Sequence, residues 1–347
     1  MKQPYAPTSS LNIFLVLPKA ELHRHLEGSL RIETMLDIAQ LHGLTVPISI
    51  LRLTGLVQIG DDEPYNFTNF LEKFKTLRLF YRSPDVIARV TREAVEDAAR
   101  DNVRYMELRF TPVALSRAER FPLHDVMTWV CESANKTAEK FGIDVKLIAS
   151  VNRHESPELA EQVAWLASGM QDQGIVGLDI AGNEAEFSGK PFAPIFREAK
   201  ESGLKITVHA GEWGGAENVR EAIEVLGADR IGHGVRIMED ENVVALAKDR
   251  GTVFEVCLTS NHQSGVISSL KRHPLSKMIE AGLITTINTD DPSISRISLS
   301  DEFQMANEKL GLSMVTLKNQ TLNALNAAFV SDEERERLVK EFKKGLE

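Results

Sequence analysis

Cysteine is nearly absent from this 347-residue sequence, which contains only Cys131 and Cys257. Two cysteines this far apart cannot supply a disulfide framework or a cysteine-based zinc site. We expect both thiols to be reduced and buried, as is typical of a cytoplasmic protein.

Long apolar runs are also missing, since none approaches the roughly 18 residues that a membrane-spanning helix needs. The apolar piece IFLVL near the N-terminus is too short for the core of a signal peptide, and it lacks a small-residue cleavage site. We therefore interpret residues 1–14 as an N-terminal extension. We expect a cytoplasmic protein that does not bind membranes.

The sequence also lacks clusters of basic residues. Lys and Arg total 40 against 50 Asp and Glu, which gives a formal net charge of −10. An acidic chain without a Lys/Arg-rich run is not expected to bind nucleic acid. No low-complexity linker or charge block divides the chain either, so we predict a single domain over residues 1–347.

What the sequence does contain is an alternation of short β-rich runs with longer amphipathic helical patterns. The β-rich runs cover residues 19–26, 103–110, 144–153, 175–182, 205–212, 230–235, 252–259 and 283–290. Such alternation is typical of a parallel sheet, in either a doubly wound sheet or a closed barrel. The count of eight favours the barrel, as does the lack of a glycine-rich phosphate loop after the first run. We predict the α/β class, as a single (β/α)8 TIM barrel.

Residues 45–82 do not follow this rhythm, and they predict extra helices between strand 1 and strand 2, above the barrel mouth. Phe67, Phe70, Phe74 and Leu77 are spaced as on one helix face. These side chains either pack the insert onto the barrel or, at Phe70 and Phe74, form the apolar wall of a substrate pocket.

Polar residues lie at the ends of the β-rich runs, where barrels of this type carry their chemistry. His23 and His25 are two positions apart on the first strand, so both side chains face the same side. His209 ends the fifth run and Asp290 ends the eighth. Three imidazoles and one carboxylate suit Zn²⁺ better than Fe²⁺, Mn²⁺ or Co²⁺, and they leave a coordination position for a catalytic water.

Four motifs carry a family resemblance. LPKAELHRHLEGSL, HAGE, RIGHG and NTDDP, in this order, resemble the adenosine/adenine deaminase branch of the amidohydrolase superfamily, from about residue 15 to the C-terminus. The fourth run has no terminal lysine to bridge two metals, and the His/Cys-x-x-Cys zinc motif of cytidine-type deaminases is absent. The resemblance implies a zinc-dependent hydrolase with one Zn²⁺ per chain and no organic cofactor.

The resemblance also implies a role for each matching residue. The four zinc ligands are His23, His25, His209 and Asp290, of which His25 also contacts substrate and Asp290 also takes part in catalysis. Glu212 protonates purine N1, which requires a raised pKa. His233 orients the attacking water and helps to deprotonate it. Asp291 contacts purine N7, and the backbone N–H of Gly182 contacts N3.

Purely structural roles for the same residues remain open. Glu212 and Asp291 could be helix N-terminal carboxylates, and His233 could be a core histidine. Asp179 is expected to support the site rather than to touch substrate, and His154 and Ser260 either do the same or simply pack. Four further histidines fall outside the predicted site and are expected to be exposed or structural: His42, His124, His262 and His273.

The substrate prediction depends on Glu27. The adenosine-specific branch usually has H-x-H-L-D-G, in which the aspartate reaches the ribose 5′-hydroxyl, whereas this sequence has H-R-H-L-E-G. The longer glutamate could contact ribose from a shifted position, or it could crowd the ribose and favour adenine. A modified nucleoside, 6-aminodeoxyfutalosine, is a third possibility. The chain length and the insert favour adenosine and 2′-deoxyadenosine, with inosine (or its deoxy form) and ammonia as products.

Other classes of function remain as alternatives. A catalytically silent barrel could bind purines, but it would have no reason to keep Glu212, His233 and Asp291 beside four ligands. An amidohydrolase acting on an amide or phosphoester is a more remote alternative. The expected partner is a small purine, and the sequence does not predict an oligomeric state.

Overall fold

The computed structural model describes residues 13–47 and 49–346. Over these residues eight parallel strands form one sheet in the order β1 to β8, each paired with the next along the chain. The strands are β1 Lys19–His25, β2 Val103–Phe110, β3 Asp144–Asn152, β4 Ile175–Ala181, β5 Lys205–Ala210, β6 Arg230–His233, β7 Val253–Val256 and β8 Ile284–Ile287. The predicted eight-stranded α/β barrel is thereby confirmed. Of the predicted N-terminal extension, residues 1–12 lie outside the described part.

Backbone contacts of Asp290 close the barrel between its first strand and the residues after β8. The N–H of His25 donates to the carbonyl of Asp290 at 2.8 Å, and the N–H of Asp290 donates to the carbonyl of His23 at 2.9 Å. Side chains add to this seam, because the N–H of Leu22 donates to the Asn288 side chain at 2.8 Å. The closing contacts thus include one of the predicted metal ligands.

Helices surround the sheet and fill the predicted insert. The described α-helices are α1 Ile13–Val16, α2 Ile32–Leu41, α3 Ile50–Val57, α4 Phe67–Leu77, α5 Pro84–Arg100, α6 Pro112–Ser116, α7 Leu123–Phe141, α8 Pro157–Gly169, α9 Ala193–Glu201, α10 Ala216–Glu224, α11 Glu241–Arg250, α12 Leu258–Gln263, α13 Leu275–Glu280, α14 Pro292–Ser295, α15 Leu299–Leu310, α16 Met314–Asn326 and α17 Asp332–Leu346. None of them is both long and apolar enough to cross a bilayer.

The strands are buried over almost their whole length, because helices cover the outside of the barrel. The interior also contains charge. Arg230 donates from Nε to Glu255 at 2.6 Å and pairs with Glu107, and Arg109 donates from Nη2 to Glu255 at 2.6 Å. Buried charges are tolerated only when they are paired in this way.

The insert consists mainly of α3 and α4. Lys73 ties the two helices together, donating to the carbonyl of Gly55 at 3.0 Å and to Glu63 at 2.6 Å. The apolar face of α4 points inward, since Phe70 and Leu77 are buried. Phe67 is partly exposed and lies against the ring of Trp213, with centroids 5.7 Å apart.

Seven of the eight predicted strands extend past the observed C-terminal ends, and the seventh and eighth do so furthest, by three residues each. The seventh run was expected to extend over 252–259, but α12 begins at Leu258, where Glu302 accepts hydrogen bonds from the N–H groups of Leu258 and Thr259. The eighth strand ends at Ile287 rather than at residue 290. In both cases the chain leaves the sheet to present polar groups at its edge.

Candidate active site

A cavity of about 370 Å³ opens at the carboxyl ends of the strands. Most of the predicted site residues line it: His25, Glu27, Phe70, Phe74, Gly182, His209, Glu212, His233, Asp290 and Asp291. The remaining one, His23, is fully buried directly beside it. The structure therefore brings together residues that are up to 268 positions apart, as between His23 and Asp291.

The four predicted ligands converge on one point. One donor atom each from His23, His25, His209 and Asp290 lie within 4.8 Å of one another. Nε2 of His23 and Nε2 of His25 approach Oδ1 of Asp290 at 3.2 and 3.3 Å. Nε2 of His23 is buried without a hydrogen-bond partner in residues 13–47 and 49–346. An orphaned imidazole nitrogen facing two more imidazoles and a carboxylate fits a divalent metal such as zinc.

Carboxylates contact two of these imidazoles at Nδ1, the ring nitrogen that faces away from the cluster. Nδ1 of His23 lies 2.8 Å from Glu255, and Nδ1 of His209 lies 2.9 Å from Asp179. Burial alone would raise the pKa of Asp179, but the charges of His209 and Arg109 lower it. Arg109 and Arg230 lower the pKa of Glu255 in the same way. Anionic partners at Nδ1 leave the Nε2 lone pairs free for a metal.

Asp290 and His233 share an unusual backbone conformation. Their φ angles are +66° and +62°, in the left-handed region that residues other than glycine rarely adopt. Such strain is often found at functional sites, where the surrounding structure enforces it. Oδ2 of Asp290 also accepts a hydrogen bond from Ser260 at 2.6 Å, which is a supporting contact of the kind considered for this serine.

Glu184 holds the segment that carries Glu212. Its carboxylate accepts three backbone N–H groups, from Gly211 at 2.9 Å, Glu212 at 2.6 Å and Gly214 at 3.0 Å. The pKa of Glu212 is raised well above its ordinary value, first by burial and then by the negative charges of Asp290 and Glu184. Burial and the negative neighbours therefore both favour the protonated form of the Glu212 carboxyl group.

Asp291 is buried in the cavity wall beside Gly28. Burial and the neighbouring charge of Asp290 raise the pKa of Asp291, and its Oδ1 has no hydrogen-bond partner in the described part of the chain. A Cβ atom on Gly28 would lie 1.9 Å from Oδ1 of Asp291. A side chain at position 28 would therefore displace Asp291, a constraint that the sequence motif contains but does not explain.

We expect Gly28→Ala to lower kcat/KM for the substrate by about tenfold or more, because the added methyl group must displace Asp291. The measurement is steady-state ammonia release, with bound zinc determined in parallel. Gly169→Ala is the matched control, since no atom lies within 4 Å of the added Cβ there. Equal kcat/KM in the two variants would contradict the importance of this contact.

Glu27 is buried and uses only half of its carboxylate within the protein. Oε1 accepts the N–H of Thr111 at 2.6 Å, whereas Oε2 has no partner among the described residues. Across the cavity, Gly182 has a φ of +98°, which favours glycine. Phe70 and Phe74 contribute an apolar wall, with ring centroids 6.4 Å apart.

The structure adds residues that the sequence did not indicate. Trp213, Asn152 and Arg78 line the cavity, as does His154, which was considered only as a supporting residue. His273 was placed outside the site, but it is buried and connects to His233 through Asn261. The two cysteines are buried and carry free thiols, as predicted.

Comparison with known proteins identifies the family. The family model described as "Adenosine deaminase" matches residues 18–345. An adenosine deaminase from Erwinia tasmaniensis is 38% identical over 322 residues, which cover 92% of this chain and 96% of that protein. The chain belongs to the adenosine deaminase family. The resemblance of the four motifs is thereby confirmed, and so is the expectation of a hydrolytic deaminase.

Solved structures of related deaminases share the fold. An adenine deaminase from Arthrobacter aurescens superposes with a TM-score of 0.87 at 28% identity, covering 94% of this chain and 98% of that one. An amidohydrolase from Burkholderia ambifaria with bound zinc gives 0.89 at 27%, covering 99% and 94%. The Arabidopsis protein ADAL in complex with IMP gives 0.86 at 29%, covering 97% and 99%. Related barrels therefore bind zinc and purine nucleotides.

Proposed function

We propose that this protein deaminates adenosine and 2′-deoxyadenosine with one Zn²⁺ per chain. The observation that carries the proposal is the convergence of the His23, His25, His209 and Asp290 cluster with the carboxyl groups of Glu212 and Asp291 on one cavity. The reaction consumes adenosine and water and releases inosine and ammonia. The curated relative from Erwinia tasmaniensis supports this choice by its name.

The donor set fits zinc, and the residues that would hold it are His23, His25, His209 and Asp290. Zinc held there would supply the activation of the attacking water, by lowering the pKa of that water to about 7. Asp179 and Glu255 orient two of the three imidazoles through Nδ1, as described above. No organic cofactor is required for hydrolysis at an aminopurine carbon.

The cavity offers one group for each edge of the purine. Glu212 donates its proton to N1 as the attacking water adds to C6, so that charge does not accumulate on the ring. Asp291 contacts N7, and the N–H of Gly182 contacts N3. His233 lies between Glu212 and Asp290, 3.6 and 3.9 Å from their carboxylates, and orients the attacking water.

The unpartnered Oε2 of Glu27 supports a substrate that carries a ribose. A buried carboxylate oxygen needs a donor, and a ribose hydroxyl supplies one. Free adenine, the substrate named for the Arthrobacter aurescens relative, would leave this oxygen unpaired. The modified nucleoside 6-aminodeoxyfutalosine also carries sugar hydroxyls, so it is tested alongside adenosine.

A nucleotide is a second candidate substrate because of Arg78. This residue follows α4 at the cavity wall, and within residues 13–47 and 49–346 no carboxylate lies within ion-pair distance of its guanidinium. An unpaired guanidinium at a cavity is suited to a phosphate group. The complex of Arabidopsis ADAL with IMP is consistent with a phosphate in related barrels.

A substrate panel tests the proposal. We expect ammonia release from adenosine and 2′-deoxyadenosine with zinc present, loss of turnover with a chelator, and lower kcat/KM for adenine, AMP and 6-aminodeoxyfutalosine. Turnover of AMP above that of adenosine would establish the nucleotide as the substrate. Absence of turnover for every 6-aminopurine would refute the proposed chemistry.

Glu27→Gln is expected to raise KM for adenosine by about tenfold while leaving turnover of adenine, where measurable, unchanged. The amide oxygen must accept the Thr111 N–H, which turns the amide NH₂ toward the ribose hydroxyl in place of an acceptor. Steady-state kinetics on both substrates provide the measurement. An equal effect on adenosine and adenine would remove Glu27 from ribose recognition.

A further inference from the structure

Three buried side chains form a continuous hydrogen-bonded chain behind the candidate active site. His233 lies at the end of β6, Asn261 on α12 and His273 just before α13, and all three are buried. Asn261 joins the two imidazoles, with its Nδ2 3.1 Å from Nδ1 of His233 and its Oδ1 3.2 Å from Nε2 of His273. Only His233 lines the cavity.

A backbone group at His273 determines which atoms donate and which accept along this hydrogen-bonded chain. The N–H of Leu275 donates to Nδ1 of His273 at 3.1 Å. A backbone N–H can only donate, so Nδ1 of His273 must accept and its proton must be on Nε2. Burial, followed by the nearby His262, lowers the pKa of His273 to about 3, so a second proton on this ring is disfavoured.

The orientation of the Asn261 amide follows from that tautomer. Nε2–H of His273 is a donor, so the amide must present its oxygen to His273 and its NH₂ to His233. The reversed amide would place two donors face to face at His273. The backbone of Asn261 is held as well, since its N–H donates to Cys257 and its carbonyl accepts from Ile267, both at 2.9 Å.

The amide orientation in turn determines the proton position on His233. A donor facing Nδ1 requires a lone pair there, which leaves the proton on Nε2. Nε2 is the atom that faces the carboxylates of Glu212 and Asp290, at 3.6 and 3.9 Å. His233 therefore presents an N–H group, not a basic nitrogen, to the reaction centre.

We propose that Asn261 and His273 are positioning residues that fix His233 as an Nε2–H donor, so that His233 holds the attacking water without accepting its proton. This inference rests on the proposed deaminase function, and it departs from the deprotonating role that the family resemblance implies for His233.

The proton of the attacking water then needs another acceptor, and Glu212 is the available one. Oδ2 of Asp290 already accepts from Ser260, and Oδ1 of Asp290 faces the imidazoles of His23 and His25. Glu212 has one carboxylate oxygen, Oε2, facing His233, while its Oε1 accepts from Ser264 at 3.3 Å. Glu212 gives its proton to purine N1, becomes a carboxylate, and takes the proton that the water loses as its oxygen bonds to C6. The proton count of the enzyme is unchanged by this exchange.

The direct test is the tautomer of His233 in the zinc-loaded protein. With ¹⁵N-labelled histidine, long-range ¹H–¹⁵N correlation spectra distinguish protonated from unprotonated ring nitrogens, and the His233→Gln protein identifies which signals belong to His233. We expect a protonated Nε2 and an unprotonated Nδ1. A protonated Nδ1 with a bare Nε2 would overturn the proposal whether or not the protein deaminates adenosine.

Variants of Asn261 and His273 test the hydrogen-bonded chain. Asn261→Asp replaces the NH₂ donor by a carboxylate, which draws a proton to Nδ1 of His233; we expect kcat to fall at least about tenfold with KM within threefold. His273→Leu frees the Asn261 amide to rotate, so we expect its kcat to be lower than that of the wild type. His273→Gln keeps a donor near the position of Nε2, so we expect its kcat to be close to that of the wild type. Zinc content and thermal melting verify that each variant is folded. An unchanged His233 spectrum or kcat in Asn261→Asp would refute the proposal.

Discussion

Replacement of Glu212 by glutamine is expected to lower kcat for adenosine by about a thousandfold, within the range observed when a positioned general acid is lost. The glutamine side chain fills the same space and keeps a contact with Ser264, but it cannot deliver a carboxylic proton to N1. Bound zinc and KM should change little, because Glu212 is not one of the four converging residues that are proposed to hold the metal. Ammonia release at saturating adenosine provides the measurement.

The pH profile makes this prediction more specific. Burial, followed by the charges of Asp290 and Glu184, raises the pKa of Glu212. The active, protonated form is therefore present below the raised pKa and is lost as the pH rises through it. We expect wild-type kcat to fall on the alkaline side, and that limb to disappear in Glu212→Gln.

Glu217→Gln is the matched control for Glu212→Gln. Glu217 is an exposed glutamate at the start of α10, paired with Arg220 outside the cavity, so its replacement should leave kcat within twofold. A loss of less than about tenfold in Glu212→Gln would show that N1 is protonated by another group.

His209→Ala is expected to remove the bound metal and to lower kcat/KM by at least about 10⁴-fold. The change deletes one of three imidazole donors, and it leaves Asp179 buried without the ring that it contacts at 2.9 Å. Zinc content per chain, determined by elemental analysis after dialysis, should fall from one to near zero. Activity should not return when zinc is added at micromolar concentration.

Thermal unfolding gives a second measurement on the same variant. A ligand that binds only the folded state raises the free energy of unfolding, so a chelator should lower the melting temperature of the wild type. His209→Ala should not respond to the chelator. His124→Ala, which removes an exposed histidine on α7, should keep the wild-type zinc content and chelator response. Full zinc occupancy in His209→Ala would disprove the ligand assignment.

The convergence of the four proposed ligands could be predicted from sequence because it follows a rule of the fold. His25 and His209 lie at or near the carboxyl ends of β1 and β5, and Asp290 follows the end of β8; all such ends meet at one rim of a parallel barrel. Once eight strands are recognised, residues almost 270 positions apart can be placed together without knowledge of the side-chain packing.

The groups behind the ligands could not be predicted, for a physical reason. Glu255 and Glu184 are acidic residues in or beside buried strands, and sequence spacing does not indicate which imidazole or backbone N–H group they will meet. Asn261 and His273 show the same difficulty, because their importance depends on the direction of hydrogen bonds across tertiary contacts. The sequence pattern identifies surfaces of elements, whereas donor and acceptor pairing requires coordinates.

Closure of the barrel through Asp290 couples the fold to the geometry of the site. The backbone of Asp290 joins the first strand to the last, while its side chain completes the cluster with His23 and His25. The first strand and the segment after the last strand must therefore be in contact for the four-residue cluster to be complete. A metal held there would link residues on both sides of the seam. The backbone amides of His25 and Asp290 should therefore exchange with solvent faster when the metal is removed.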